Sequence, residues 1–333
     1  MAATAELPAF ARELVNLASP RLGSKAVTCS DDFFAPAKRM LQDPPAVFIP
    51  DKYDNHGKWM DGWESRRRRG GGHDWCIVKL GVKGVIRGVD IDTSHFTGNY
   101  PPSASLEACL SEKPPGAKTK WTEILPVTKL GPSAHHFLPI GAAGVFNYLR
   151  LNIFPDGGVA RLRVYGEPVA AWEGKSRAAV FELSALGNGG KILGYNDAHY
   201  GTVWTLITPG RGINMGDGWE TRRRREPGHD WLVLKLGAPG RVERVEVDTA
   251  HYKGNYPDRC SLQAALVSTG DAQSAIAQSE SWPELLPQRK LAMDKVHKFD
   301  RKLIRDIGPI SHVRLNIYPD GGVSRLRIFG RLA

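Results

Sequence analysis

YLRLNIFPDGGVARLRVYG, residues 148–166, decides the fold class. Leu149, Leu151 and Ile153 alternate with Arg150, Asn152 and Phe154. That is the two-residue period of a half-buried strand. PDGG follows, with proline, aspartate and glycine supplying turn chemistry. A second alternating run, ARLRVYG, closes the stretch. The same pattern returns as HVRLNIYPDGGVSRLRIFG at residues 312–330. The chain is a β-rich module written twice.

Outward from this stretch the duplication extends over most of the 333 residues. MDGWESRRRRGGGHDWCIVKLG (60–81) returns as GDGWETRRRREPGHDWLVLKLG (216–237), an offset of 156. GVDIDTSHFTGNYP (88–101) returns as RVEVDTAHYKGNYP (244–257). A fainter opening block, GSKAVTCSDDFFA (23–35), matches GGKILGYNDAHYG (189–201) at an offset of 166. Small insertions in Pro/Gly-rich loops account for the changing offsets. Two long copies imply two lobes, not a solenoid of short repeats. The boundary falls near residues 167–177, giving domains 1–170 and 171–333. Short strands at regular spacing predict an all-β protein of two tandem jelly-roll-like antiparallel β-sandwich domains. The one helical stretch expected lies near residues 9–17.

Composition narrows the function classes. The apolar fraction, 41%, is that of a soluble globular chain. No run approaches the length of a membrane helix. The first twenty residues contain Glu6 and Glu13 and no apolar core, so a secretory leader is not expected and a cytoplasmic protein is. The four cysteines do not recur between copies and form no C-x-x-C pair, which reads as reduced thiols. The net charge of +10 is interleaved with Asp, Glu and Gly, and no nucleic-acid module pattern accompanies it. A small anionic substrate suits it better than nucleic acid.

Two polar constellations are shared by the copies. The first is D-G-W-E-[ST]-R-R-R-R followed by G-H-D-W. An extended Arg run would put Glu64, Arg66 and Arg68 on one face. A carboxylate between two guanidiniums would be held ionised, leaving the guanidiniums to fork a ligand carboxylate. An Arg/Glu network that only braces lobes or subunits is the alternative. His73 beside Asp74 offers acid/base groups, or a histidine that merely satisfies loop backbone. The second constellation, D-[ST]-x-H-[FY]-x-G-N-Y-P, follows a strand directly. It carries Asp92, His95, Asn99 and Tyr100, donors and acceptors suited to a urea-like amide, or to a turn alone. Asp92, His95 and His73 are conceivable metal ligands. No H-x-H, HExxH or Cys cluster supports them, so no cofactor is expected to be required. The opening blocks differ, with Asp32 and Phe33 in copy one against Ala198 and His199 in copy two.

These strings resemble the allantoicase family over nearly the whole chain: SDDFFA, DGWESRRRR, GHDW, DTSHFTGNYPP and the NDAHYG/MGDGWETRRRR pairing occur in the family's order. The resemblance implies hydrolysis of allantoate to ureidoglycolate and urea in purine breakdown, two jelly-roll domains and a homo-oligomer. Allantoate has one carbon bearing a carboxylate and two ureido groups. Arg66 or Arg68 is then the expected partner of the carboxylate. His95, Asn99 and Tyr100 are expected at the ureido groups, and His73 with Glu64 or Asp92 in proton transfer. The same roles fall in copy two on Arg222 and Arg224, on His251, Asn255 and Tyr256, and on His229 with Glu220 or Asp248. The competing class is a non-catalytic jelly-roll ligand-binding protein, since fold alone does not decide function.

Overall fold

The structure, a computed structural model, describes residues 7–268 and 271–333. The start of the N-terminal stretch read above, Glu6 included, lies outside the described residues. Two compact units part between Val169 and Ala170.

In the first unit the strands are β1 (Val15–Asn16), β2 (Lys25–Cys29), β3 (Tyr53–Asp54), β4 (Gly57–Lys58), β5 (Trp63–Glu64) and β6 (Asp74–Asp92). They continue with β7 (Ser103–Cys109), β8 (Thr122–Lys129), β9 (Phe137–Pro139), β10 (Val145–Phe154), β11 (Gly158–Val159) and β12 (Arg161–Pro168). Eight of them form an antiparallel sheet ordered β1-β12-β6-β10-β7-β8, with β2 and β9 also on β6.

The 19-residue β6 organises the unit. Its first half pairs β10, Asp74 opposite Ile153; its second half pairs β12, Asp92 opposite Arg161. A straight strand of that length would span about 60 Å. Only Pro155 to Ala160 join β10 to β12, and that link reaches at most about 25 Å. β6 therefore doubles back around Gly81, and its two ends meet at one end of a sandwich. Its halves share one core: Cys76, Val78 and Leu80 cluster with Ile86, Val89 and Ile91, and with Leu149, Leu151 and Ile153 of β10. The alternation read in residues 148–154 is the inward and outward face of β10.

The second unit repeats this plan in an eight-stranded antiparallel sheet around the strand Asp230–Asp248. Asp230 stands opposite Ile317 and Asp248 opposite Arg325. The all-β, two-sandwich expectation is met.

Helix is scarcer and differently placed than expected. The N-terminal helix α1 covers only Ala9–Glu13, because Val15 and Asn16 pair with Gly166 and Tyr165. Cross-strand pairing wins over local propensity there. A second helix, α2 (Ala272–Gln278), was not expected; Asp271 caps it by accepting from the Ser274 N–H at 2.7 Å. No helix among the described residues is long and apolar enough to cross a membrane.

Candidate active site

Three motifs far apart in sequence converge where the ends of β6 meet. The PDGG turn is their hub. Glu64 of β5 pairs with Gly158 of β11, and the Ser65 N–H donates to Gly157 O at 3.2 Å. Gly157 N–H donates in return to Ser65 Oγ, and Arg68 N–H donates to Asp156 Oδ2 at 2.7 Å. From the other side Gly158 N–H donates to Asn99 O at 2.7 Å, and Ala160 N–H to Asp92 O at 2.8 Å. The second glycine is required: a Cβ on Gly158 would lie 2.0 Å from the Phe96 ring. Copy two reproduces the hub. Thr221, Arg224 and Asn255 take the places of Ser65, Arg68 and Asn99, and the Tyr252 ring lies against Gly322.

At this hub the Glu64 carboxylate meets Asn99. Asn99 Nδ2 donates to Glu64 Oε1 at 2.7 Å, and Asn255 donates to Glu220 in the same way. Burial pushes the Glu64 carboxyl above its usual range, with the Asn99 hydrogen bond opposing part of the effect. The expected cage of two guanidiniums around Glu64 is not formed. Arg66 instead forks Asp31, through Nε at 2.8 Å and Nη2 at 2.6 Å, with its N–H on the same carboxylate. Arg68 reaches Asp74 at 3.0 Å. The physical reason is local: regular strand ends at Glu64, and the chain beyond it is held by Asp31 and Asp156, so strand alternation no longer sets the faces. Arg222 pairs with Asp197, and Arg224 with Asp230, in copy two.

Burial alone would push Asp31 up. The hydrogen bonds from the Arg66 side chain and from the Arg66 and Phe33 backbone outweigh it and hold this carboxyl below its ordinary range. Arg66 stays 62% exposed, and Nη1 takes no part in its fork. It is thus an oriented cation open to a ligand. Asp31 was quoted in the sequence but not assigned a role; its signal was that NDA and SDD share one aspartate, Asp197 against Asp31.

The histidines are placed differently from each other. His73 rests against the Phe154 ring, 4.6 Å between centroids, and His229 against Tyr318 at 4.8 Å. Burial pushes His229 down. Asp92 Oδ1 accepts from the Ser94 N–H at 2.8 Å, as Asp248 does from Ala250 at 2.9 Å, so both acids shape the turn after the strand. Among the described residues His73 is not paired with Glu64 or with Asp92. His95, at φ 70°, places Nε2 3.2 Å from Ala46 O; His251, at φ 69°, places Nε2 2.7 Å from Gly212 O. Both hold a loop by its backbone. Tyr100 packs beside Met60, Phe96 and Ala160, and Tyr256 is half-buried in copy two.

The same loops are held from below by a buried ion pair that the sequence reading missed. Arg161, fully buried, bonds Asp61 Oδ2 at 2.7 Å and the carbonyls of Pro44 and Pro45. Asp61 also accepts from Val47 N–H at 3.0 Å. Arg325, Asp217, Gly210 and Ile213 repeat this arrangement. The available signal was the shared GGV[AS]RLR string, whose first arginine alternates onto the inward face. Among the described residues no three of His, Cys, Asp and Glu gather in a metal-holding group. The four cysteines are free thiols.

The allantoicase repeat model matches residues 15–169 and again 181–333. The chain belongs to the allantoicase family. "Probable allantoicase 1" of Burkholderia mallei is 58% identical over 326 residues, covering 98% of this chain and 96% of that one. "Probable allantoicase" of Rhizobium meliloti is 56% identical over 330 residues, covering 98% and 96%. The crystal structure of allantoicase from Saccharomyces cerevisiae aligns with a TM-score of 0.78 at 36% identity, covering 96% of this chain and 94% of that chain. Each of the two repeats matched by the allantoicase model contains the whole hub, with its Glu–Asn contact and its Arg–Asp fork.

Proposed function

We infer that this chain is an allantoicase whose chemistry is carried by the Glu–Asn and Arg–Asp pairs at the hub. It hydrolyses allantoate to ureidoglycolate and urea. The observation that carries the site assignment is the convergence of the three shared motifs on a half-buried carboxyl beside an exposed, oriented guanidinium.

The roles follow from the substrate's chemistry. Arg66 binds the carboxylate of allantoate. Glu64, whose carboxyl burial pushes above its usual range, gives its proton to one ureido nitrogen as the C–N bond breaks and urea departs with the bonding pair. The other ureido nitrogen supplies its lone pair to the same carbon, forming a C=N bond. Water adds to that carbon and yields its proton to the Glu64 carboxylate, which restores the acid. One positioned acid or base contributes about 10²–10⁴-fold. Asn99 orients Glu64. His95 acts one step away, by fixing the loop that walls the site. A binding module alone would have no use for a carboxyl whose proton affinity is raised by burial beside an oriented guanidinium.

We place the two domains at residues 1–170 and 171–333, in a cytoplasmic homo-oligomer. The division of the chain into compact units at Val169 and Ala170 supports the first statement. Incubation of the purified protein with allantoate, followed by urea and glyoxylate-equivalent measurement, tests the activity. Absence of both products overturns it.

A further inference from the structure

The two copies differ beside the hub. The opening blocks stand 166 residues apart and the DGWE blocks 156, so copy one carries ten extra residues between them. The extra chain forms a hairpin: β3 and β4, with Tyr53 opposite Lys58 and Asp54 opposite Gly57. In copy two the corresponding segment, 208–215, has no strand. The stems of both loops are pinned alike, by Asp61 and His95 in one and by Asp217 and His251 in the other. What rises from the stem is therefore the difference.

The hairpin touches both sides of the copy-one site. At its base Phe48 stacks on His95, with centroids 5.8 Å apart. At its turn the His56 ring meets Phe33 edge-on at 4.5 Å. Phe33 in turn lies beneath the Arg66 guanidinium at 5.1 Å. Cations accompany it: Lys58 Nζ lies over Tyr53 at 4.7 Å, and Lys52 Nζ over Trp59 at 3.8 Å. In copy two the counterpart of Phe33 is His199, whose ring meets Tyr200 as Phe33 meets Phe34, with no hairpin residue against it among the described residues. Next to the acid, copy one has Phe96 where copy two has Tyr252, whose hydroxyl donates to Met215 O at 2.7 Å. Glu64 thus has the more apolar surroundings.

We propose that the hairpin positions the anionic substrate in copy one, through His56 and Phe33 acting on Arg66, and that copy one carries most of the turnover. This rests on the reading of Glu64 and Arg66 given above. The aromatic chain from His56 to Phe33 fixes the plane of the guanidinium that receives the anionic substrate. Ring contact is what His56 provides.

Four point variants of the full chain, assayed for urea release, test this. Glu64→Gln lowers kcat by about 100-fold or more, and Glu220→Gln by less than about tenfold. His56→Ala raises KM by about fivefold with kcat within about twofold, and His56→Phe, which keeps the ring contact, restores KM. Equal losses in Glu64→Gln and Glu220→Gln, or a His56→Ala variant with unchanged KM, overturn the hairpin proposal and leave the site reading standing. Full activity in both glutamine variants overturns the site reading itself. A His56→Ala protein that loses thermal stability and kcat together, at constant KM, shows a structural hairpin and also overturns the proposal.

Discussion

Asn99 Nδ2 donates to Glu64 Oε1 across 2.7 Å, tying the turn after β6 to the strand that precedes the arginine run. Burial raises the Glu64 carboxyl and this hydrogen bond lowers it, so Asn99 trims the acid's proton affinity. Glu64→Gln removes the proton donor, and kcat is expected to fall by about 10²–10⁴. Asn99→Ala removes the opposing contribution, so the carboxyl should hold its proton to higher pH. The alkaline limb of the kcat profile should then move upward in pH. An unmoved limb in Asn99→Ala would show that another group titrates.

The Arg66–Asp31 fork is expected to act on binding. Asp31→Asn keeps the shape of the acceptor but removes its charge, so the guanidinium loses its fixed plane. KM for allantoate should rise about tenfold, equivalent to about 1.4 kcal/mol. Asp31 is held below its ordinary value, so the fork is intact above the usual carboxylate range and fails as pH falls through that depressed value. Steady-state kinetics that show a loss in kcat at constant KM would contradict this assignment.

Much of the fold and part of the site were legible before the structure. The alternation of residues 148–154 placed Leu149, Leu151 and Ile153 inward, and all three are fully buried. Duplication pointed to the Glu64, Arg66 and Asn99 motifs, which do converge. What failed was the geometry between them. Regular strand was carried past Glu64, whereas β5 stops there and turn hydrogen bonds direct Arg66 and Arg68 to Asp31 and Asp74. His95 was read as a ligand donor because imidazole chemistry is visible in sequence; the carbonyl of Ala46 that engages it is not. Asp32, one of the positions at which the opening blocks differ, accepts from Ala37 N–H and caps the turn that follows. Helix α2 has seven residues, too few to show a helical period.

The Asp61–Arg161 pair is a stability element with a functional consequence. Both groups are buried, and the guanidinium also satisfies the carbonyls of Pro44 and Pro45. Asp61→Ala leaves that cation without its charge partner, at an expected cost of about 3–5 kcal/mol. Against a total stability of about 5–15 kcal/mol this is a large fraction. Urea denaturation should show a lower midpoint, and the loop at Val47 should become protease-sensitive. Replacing both residues, with Asp61→Leu and Arg161→Met, should cost less than the single change. A double variant as unstable as the sum of its parts would assign the cost to packing.

His135 gives the first unit a pH dependence that the second lacks. Its Nδ1 lies 2.8 Å from Asp90 Oδ2, and Asp90, buried, also accepts from the His136 N–H. The hydrogen bond from His135 to Asp90, with the charges of Asp90 and Asp92, raises the imidazole above its ordinary value despite partial burial and the repulsion of Arg163. A raised histidine contributes stability that is fully present below the unfolded value, about 6.5. That contribution is lost as pH rises through the folded value, which lies above it. Thr93 N–H bonds Ala134 O where Thr249 N–H bonds Lys295 O, so Val296 stands at the place of His135. His135→Gln should therefore flatten the fall in thermal midpoint between about pH 6 and pH 8. Its effect should be largest at low pH, where the wild-type imidazolium is complete. Parallel curves for wild type and variant across that range would show that the Asp90 pair is not the titrating element.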